Sequence, residues 1–267
     1  MLLAPAGVLA QREPPREGVD VGKTSRLAQL VPAAEVEKAA DQQYRQLLQQ
    51  AEAKRVLAPP AHPQFQRLSA ISHRLIPQAL SWNERARGWK WEVNLIGSAQ
   101  INAFCMPGGK IAVFTGIIDK LQLTDDELAM VVGHEMAHAL REHARERMGK
   151  SAVTQGAARL GGAVVAGIFG IDPNVTDLLA RGTASMLSLK FSRSDESEAD
   201  LVGMEIAARS GYDPRAAVTL WEKMSRASKG AAPEWFSTHP SGTSRIAELK
   251  RNLPRVLPLY ERAIAKR

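Results

Sequence analysis

The run Val132-Gly133-His134-Glu135-Met136-Ala137-His138 decides how this chain is read. An α-helix turns once in about 3.6 residues, so His134 and His138 stand on one face and both imidazoles reach a single ion. Glu135 follows the first histidine. Its carboxylate can hydrogen-bond a water at that ion and take its proton, an arrangement suited to metal-assisted hydrolysis. The same letters also fit an amphipathic helix with chance histidines, so the surroundings carry the decision.

Thr124-Asp125-Asp126-Glu127 reads as a capping box, with Leu123 and Leu128 as its hydrophobic staple, and starts the helix near Asp125. Acids fill the first turn, while Arg141, Arg145, Arg147 and Lys150 gather towards an end closed by Gly149, so charge follows the macrodipole. Leu128, Val131, Val132, Met136 and Leu140 surround the histidines with apolar side chains, and polar groups buried there need partners.

A catalytic zinc takes three protein ligands and keeps one position open. The extension H-E-x-x-H-x-x-G-x-x-H is excluded, because Arg141 and Ala144 stand where it needs glycine and histidine. In one continuous helix, His143 lies nine residues after His134 and faces the opposite side as a solvated histidine. A second acidic stretch, Ser192-Arg193-Ser194-Asp195-Glu196-Ser197-Glu198-Ala199-Asp200, offers the missing ligand. Glu196 and Asp200 share a helix face, which suits a metal ligand beside an acceptor for the free ring N–H of a ligating histidine. Asp195 and Glu198 read as solvated charges, and an acidic helix start would alone explain the cluster were the first motif absent.

Four separated blocks resemble the M48 zinc metallopeptidases. They are Asn102-Ala103-Phe104-Cys105-Met106-Pro107-Gly108-Gly109, Gly133 to His138, Ser192 to Asp200, and Ser237-Thr238-His239-Pro240 followed by Arg245. The resemblance covers about residues 85–253. It implies an α+β, predominantly helical, zincin-like fold with a small sheet, and one zinc per chain on His134, His138 and Glu196. It also implies Glu135 as base, Asp200 as outer partner, and His239 with Arg245 near the oxygen of the scissile carbonyl. Cys105 departs from the small residue common at that position.

Residues 89–96 alternate as a half-buried strand, and 103–106 with 110–115 form a hairpin around Pro107-Gly108-Gly109. An exposed edge of this sheet can take an extended peptide as an added strand. The resemblance implies the second arm, Gly109, Lys110, Ile111, Ala112, Val113 and Phe114, as that edge; a purely structural hairpin over the metal helix is the alternative. His239 has three readings: a donor to the developing oxyanion, a cap on the open metal position in a latent state, or a structural histidine before a helix near Ser241. His62 and His73 carry no motif and read as surface residues.

Residues 1–19 read as a leader or truncated signal, 20–84 as an N-terminal helical region on the catalytic part, and 85–267 as the catalytic domain. Helices are expected over 33–57 and 64–80, and another from Asp213-Pro214 to about Ser228 before a loop at 229–233. The net charge of +7 invites a nucleic-acid reading, but the bases are scattered and aromatics make up 5% of residues, so none is expected; contact with an anionic membrane surface remains compatible. The uncharged, apolar run at residues 160–171 is 12 residues with four glycines and too short to span a bilayer. A single cysteine excludes an internal disulfide. Val8-Leu9-Ala10 resembles a cleavage site, so the chain is expected in a bacterial periplasm, with the cytoplasm as alternative. Two functions follow: a zinc endopeptidase acting on unfolded or misassembled envelope polypeptides, or a chaperone-like peptide-binding module with latent proteolysis.

Overall fold

The computed structural model describes residues 17–154, 190–228, 235–239 and 243–266. The expectations for residues 160–171 and 229–233 lie outside these. Three strands, β1 (Glu92–Ile96), β2 (Ala103–Met106) and β3 (Lys110–Phe114), form one sheet in the order β1-β3-β2. Gly108 and Gly109 turn the β2–β3 hairpin with φ of 87° and 79°, a region that penalises any side chain.

The stretch from Gly109 to Phe114, expected as the exposed edge, is instead the central strand. β2 pairs antiparallel on one side and β1 parallel on the other, from Glu92↔Lys110 to Ile96↔Phe114. The physical reason lies in β3 itself. Ile111 and Val113 enter the main core, while Ala112 and Phe114 enter a second core under α1 (Ala33–Ala53). A strand apolar on both faces belongs inside a sheet. The outer edge of β1 meets residues 56–58, through the Leu57↔Ile96 bridge and the Ala58 N–H to Leu95 carbonyl bond of 2.9 Å. β2 therefore carries the edge without a strand partner among the described residues.

Beneath the opposite sheet face lie α2 (Pro63–Ala79) and α4 (Asp125–Leu140), reached through the short α3 (Thr115–Leu121). Leu68, Ile71 and Leu75 of α2 share one core with α4, and α1 shares the second with β3, so the region 20–84 packs directly on the part that follows it. Residues 17–19, assigned to a leader, are also packed: Val19 is buried and its N–H donates to Glu205 at 2.7 Å.

α4 begins as expected, with Thr124 and Glu127 completing the capping box. It ends earlier. Arg141 caps it, Glu142 takes a left-handed φ of 59°, and α5 (His143–Thr154) restarts in a new direction. Gly149 lies within α5 against the Leu27 carbonyl, where a Cβ would collide with the oxygen.

α6 (Arg193–Arg209) crosses α4 where Gly133 meets Gly203. A Cβ on Gly203 would lie 2.6 Å from the His134 nitrogen, and one on Gly133 would lie 2.8 Å from the Gly203 carbonyl. Backbone touches backbone there. The crossing brings His134 and the acidic first half of α6 together, and α7 (Ala216–Ala227), α8 (Trp235–Thr238) and α9 (Thr243–Ile264) close the outer side.

Gly203→Ala tests this contact. Alanine favours an isolated helix by about 0.8–1.0 kcal/mol, whereas overpacking against immobile backbone costs about 1–3 kcal/mol. Net destabilisation is expected in denaturant melts; a stabilised variant would mean the helices do not touch.

Candidate metal centre

α4, the first turns of α6 and the residue that follows α8 present His134, His138, Glu196 and His239 to one point. Their candidate ligand atoms lie within 4.8 Å of one another, and all four residues are buried. His138 Nε2 stands 3.1 Å from His134 Nε2 and 3.5 Å from a Glu196 oxygen, while His134 Nε2 stands 3.7 Å from the other Glu196 oxygen. His239 Nδ1 lies 3.4 Å from His134 Nε2 and 2.9 Å from Glu196 Oε1.

These residues fit a metal ion on two grounds. Nitrogen and oxygen ligands bound at about 2.0–2.1 Å in a tetrahedron stand roughly 3.3 Å apart, the scale of the separations here. Charge gives the second ground. Glu196 and Asp200 are buried carboxylates that share the single Arg245 guanidinium, which leaves negative charge in excess, and a cation among the donors would offset it. Burial holds His138 well below the usual imidazole range, aided by neighbouring His134 and His143, so its lone pair is available.

Glu135 stands beside this cluster. Burial, with Glu196 assisting, pushes its carboxyl up to about 8 against the pull of His134 and Arg245. The Cys105 backbone N–H donates to it, and Glu135 Oε1 has no hydrogen-bond partner among the described residues. His239 Nε2 is 3.6 Å from that oxygen.

Asp200 accepts from His134 Nδ1 at 3.0 Å and from the Trp221 ring N–H at 3.1 Å. Arg245 grips it with two bonds of 2.6 and 2.8 Å and reaches Glu196 Oε2 at 2.6 Å. Burial alone would raise the Asp200 carboxyl; the Arg245 charge and the His134 bond bring it down to about 2. Glu196 is likewise lowered, burial being outweighed by His239, His134 and Arg245. The expectation that Arg245 faces the scissile oxygen is corrected here. Its guanidinium holds two carboxylates together and lies 3.6 Å over the Trp221 ring, a position that fixes ligands.

Three further expectations change. His143 is buried, 2.9 Å from His138 Nδ1 and 3.3 Å from Glu198, because the left-handed Glu142 ends the helix on which its outward direction depended. Glu198 pairs with Arg141 and His143, and Asp195 is the buried third residue of a capping box with Ser192. His62 caps α2, accepting from the Gln64 N–H, and His73 is exposed. Sequence reasoning missed Phe191, which stacks on His138 at 3.9 Å, and Trp221; neither lies in a motif. Trp235 stacks on His239 at 4.4 Å, and its aromatic neighbourhood was the one legible sign.

A helix with paired histidines, a carboxylate from a second helix and a small sheet above define a zincin-like metallopeptidase unit. The chain matches Peptidase family M48 over residues 62–253 and belongs to that family. It is 30% identical over 219 residues to the mitochondrial metalloendopeptidase OMA1 of Saccharomyces cerevisiae, covering 78% of this chain and 61% of that protein. Identity to the OMA1 of Arabidopsis thaliana is 39% over 161 residues, 59% of this chain and 30% of that one. The metalloprotease LoiP of Escherichia coli is 27% identical over 205 residues, 77% of each chain. The chain thus spans between about a third and three fifths of the length of those mitochondrial relatives.

Arg245→Ala leaves two carboxylates buried without their cation, expected to cost about 3–5 kcal/mol in metal-free protein at neutral pH. In the parent, Asp200 sits at about 2, below an unfolded value of about 3.9. It therefore stabilises above the unfolded value, and this is lost as pH falls towards 2. In the variant burial dominates and both carboxyls rise, so its deficit should shrink from pH 7 towards pH 4. Equal melts of both proteins at pH 7 would show that Arg245 holds nothing.

Proposed function

We propose that the chain is a zinc-dependent endopeptidase that hydrolyses peptide bonds in unfolded or misassembled polypeptides. His134, His138 and Glu196 are read as the zinc ligands and Glu135 as the general base. The observation that carries this reading is the convergence of the buried donors beside a carboxylate oxygen without a partner among the described residues. When bound, zinc supplies Lewis acidity that polarises a carbonyl and makes water acidic enough to attack near neutral pH. Glu135 Oε1 takes the proton of the attacking water and passes it to the leaving amine. The Cys105 N–H holds that carboxylate, and Asp200 and Arg245 hold His134 and Glu196 in place.

Substrate is read as adding to β2. The bond from the Phe114 N–H to the Asn102 carbonyl sets the antiparallel alternation, so Ala103 and Cys105 direct their backbone groups away from β3. Asn102 Oδ1 and Glu135 take their N–H groups, and their carbonyls offer acceptors to an extended peptide.

His239 is read as the fourth ligand of a resting site, since its Nδ1 stands among the other donors. The Trp235 N–H also bonds the Ile101 carbonyl at 3.2 Å, so the segment bearing His239 is docked at the leading end of β2. Substrate must then displace this segment. The alternative of a chaperone-like binder leaves the Glu135 placement without a purpose. We read the location as a bacterial envelope, supported by the Beta-barrel assembly-enhancing protease of Escherichia coli, 30% identical over 176 residues. No helix among the described residues is long and apolar enough to cross a membrane.

Glu135→Gln is expected to keep one zinc per chain while hydrolysis of an unfolded protein substrate falls by several orders of magnitude. Parent-level turnover by the zinc-loaded variant would reject Glu135 as base, and chelator-resistant turnover of the parent would reject the zinc mechanism.

His239→Ala should bind zinc more weakly yet raise basal hydrolysis at saturating zinc, because the competent fraction is no longer reduced by the resting state. A fall of about 10² to 10³ in kcat with unchanged zinc affinity would instead assign His239 to the oxyanion.

A further inference from the structure

We propose that His143 is a positioning residue for His138, acting through a proton order fixed by Glu198 and Arg141. The inference rests on reading His138 as a metal ligand through Nε2, and goes beyond that reading by assigning what holds its ring. His138 Nε2 faces His134 and Glu196, so the proton of this neutral imidazole belongs on Nδ1. Nδ1 meets a second ring nitrogen, His143 Nδ1, at 2.9 Å. One proton fits that gap. Two would set N–H against N–H, and none would set lone pair against lone pair.

His143 Nδ1 is therefore the acceptor, and its own proton lies on Nε2, directed at Glu198 Oε2 at 3.3 Å. The other Glu198 oxygen receives the Arg141 Nε–H, and Arg141 Nη2 donates to the Gly22 carbonyl at 2.9 Å. Every proton in the series runs towards Glu198 from both sides, and Arg141 fixes the position of that carboxylate. His134 reaches its carboxylate in one step, through Asp200. Among the described residues no acid bonds His138 Nδ1 directly, and the ring reaches one through His143. Phe191 stacked on one face of His138 restricts the ring in the remaining direction. The break at Glu142 makes this possible, because it turns His143 back towards the helix it follows.

The test is the zinc dissociation constant, by chelator competition, for the parent, His143→Ala, His143→Gln and Glu198→Gln, with thermal melts of each metal-free protein. Loss of an outer partner to a ligating histidine typically weakens metal binding about 10–100-fold, and His143→Ala is expected in that range. His143→Gln should recover most of it, since its carboxamide oxygen can accept the His138 Nδ1–H. Glu198→Gln, at a partly exposed site, should weaken zinc without unfolding the protein, because one amide oxygen replaces two acceptors. With cobalt substituted for zinc, the visible spectrum should change in His143→Ala and return in His143→Gln. Zinc affinity unchanged in His143→Ala and Glu198→Gln, whatever their melts, would overturn the relay while leaving the ligands in place. If His143→Ala does not fold, Glu198→Gln alone decides. If the parent binds no zinc, the reading of the site falls first and takes this inference with it.

Discussion

The contact between Gly133 and Gly203 is the constraint on which the site depends. Helices that meet through side chains lie about 8–10 Å apart, and those without a Cβ at the crossing can approach until their backbones touch. His134 adjoins one glycine, and Glu196 and Asp200 lie up to two turns before the other. Short side chains then suffice to span the gap. A histidine on one helix and a carboxylate on the next meet with no long, mobile linker, so little side-chain entropy opposes the assembly. The sheet contributes from above, where β2 holds Glu135 through the Cys105 N–H.

Burial makes the centre costly as well as rigid. Three acids and three imidazoles inside a protein are stable only if each has a counterpart. Arg245 answers two of the acids, Asp200 answers one imidazole, and Glu198 with Arg141 answers another by way of His143. The pattern explains why so many polar residues outside the first motif turn inward. Arg141 illustrates it: a base read as a complement to the helix dipole is in fact buried against Glu198 and the Gly22 carbonyl.

What was legible in the sequence follows one rule: features written in local spacing could be read, and features depending on where a helix ends or which strand intervenes could not. The capping box at Thr124, the turn at Gly108-Gly109 and the shared face of Glu196 and Asp200 are local. The position of β3 was misjudged because hairpin logic pairs it with β2 alone, although its unbroken apolar run, Ile111-Ala112-Val113-Phe114, already marked a strand covered on both faces. His143 was misjudged because a helical projection carried past Glu142, where a single left-handed residue in a stretch of charged side chains redirects the chain. Arg245 was placed by analogy; only the fold could show that its reach is spent on Asp200 and Glu196.

The donors and the groups that steady them are scattered along the chain, from Gly22 at one extreme through His134, His138, Glu196 and His239 to Arg245 at the other. During synthesis the helix bearing both histidines leaves the ribosome long before α8 and α9 do. Such a nascent chain offers two imidazoles but neither the Glu196 carboxylate nor the guanidinium that sets it. The full set of donors therefore exists only after the chain through Arg245 has emerged and closed, which delays a metal centre until the fold that restrains it exists.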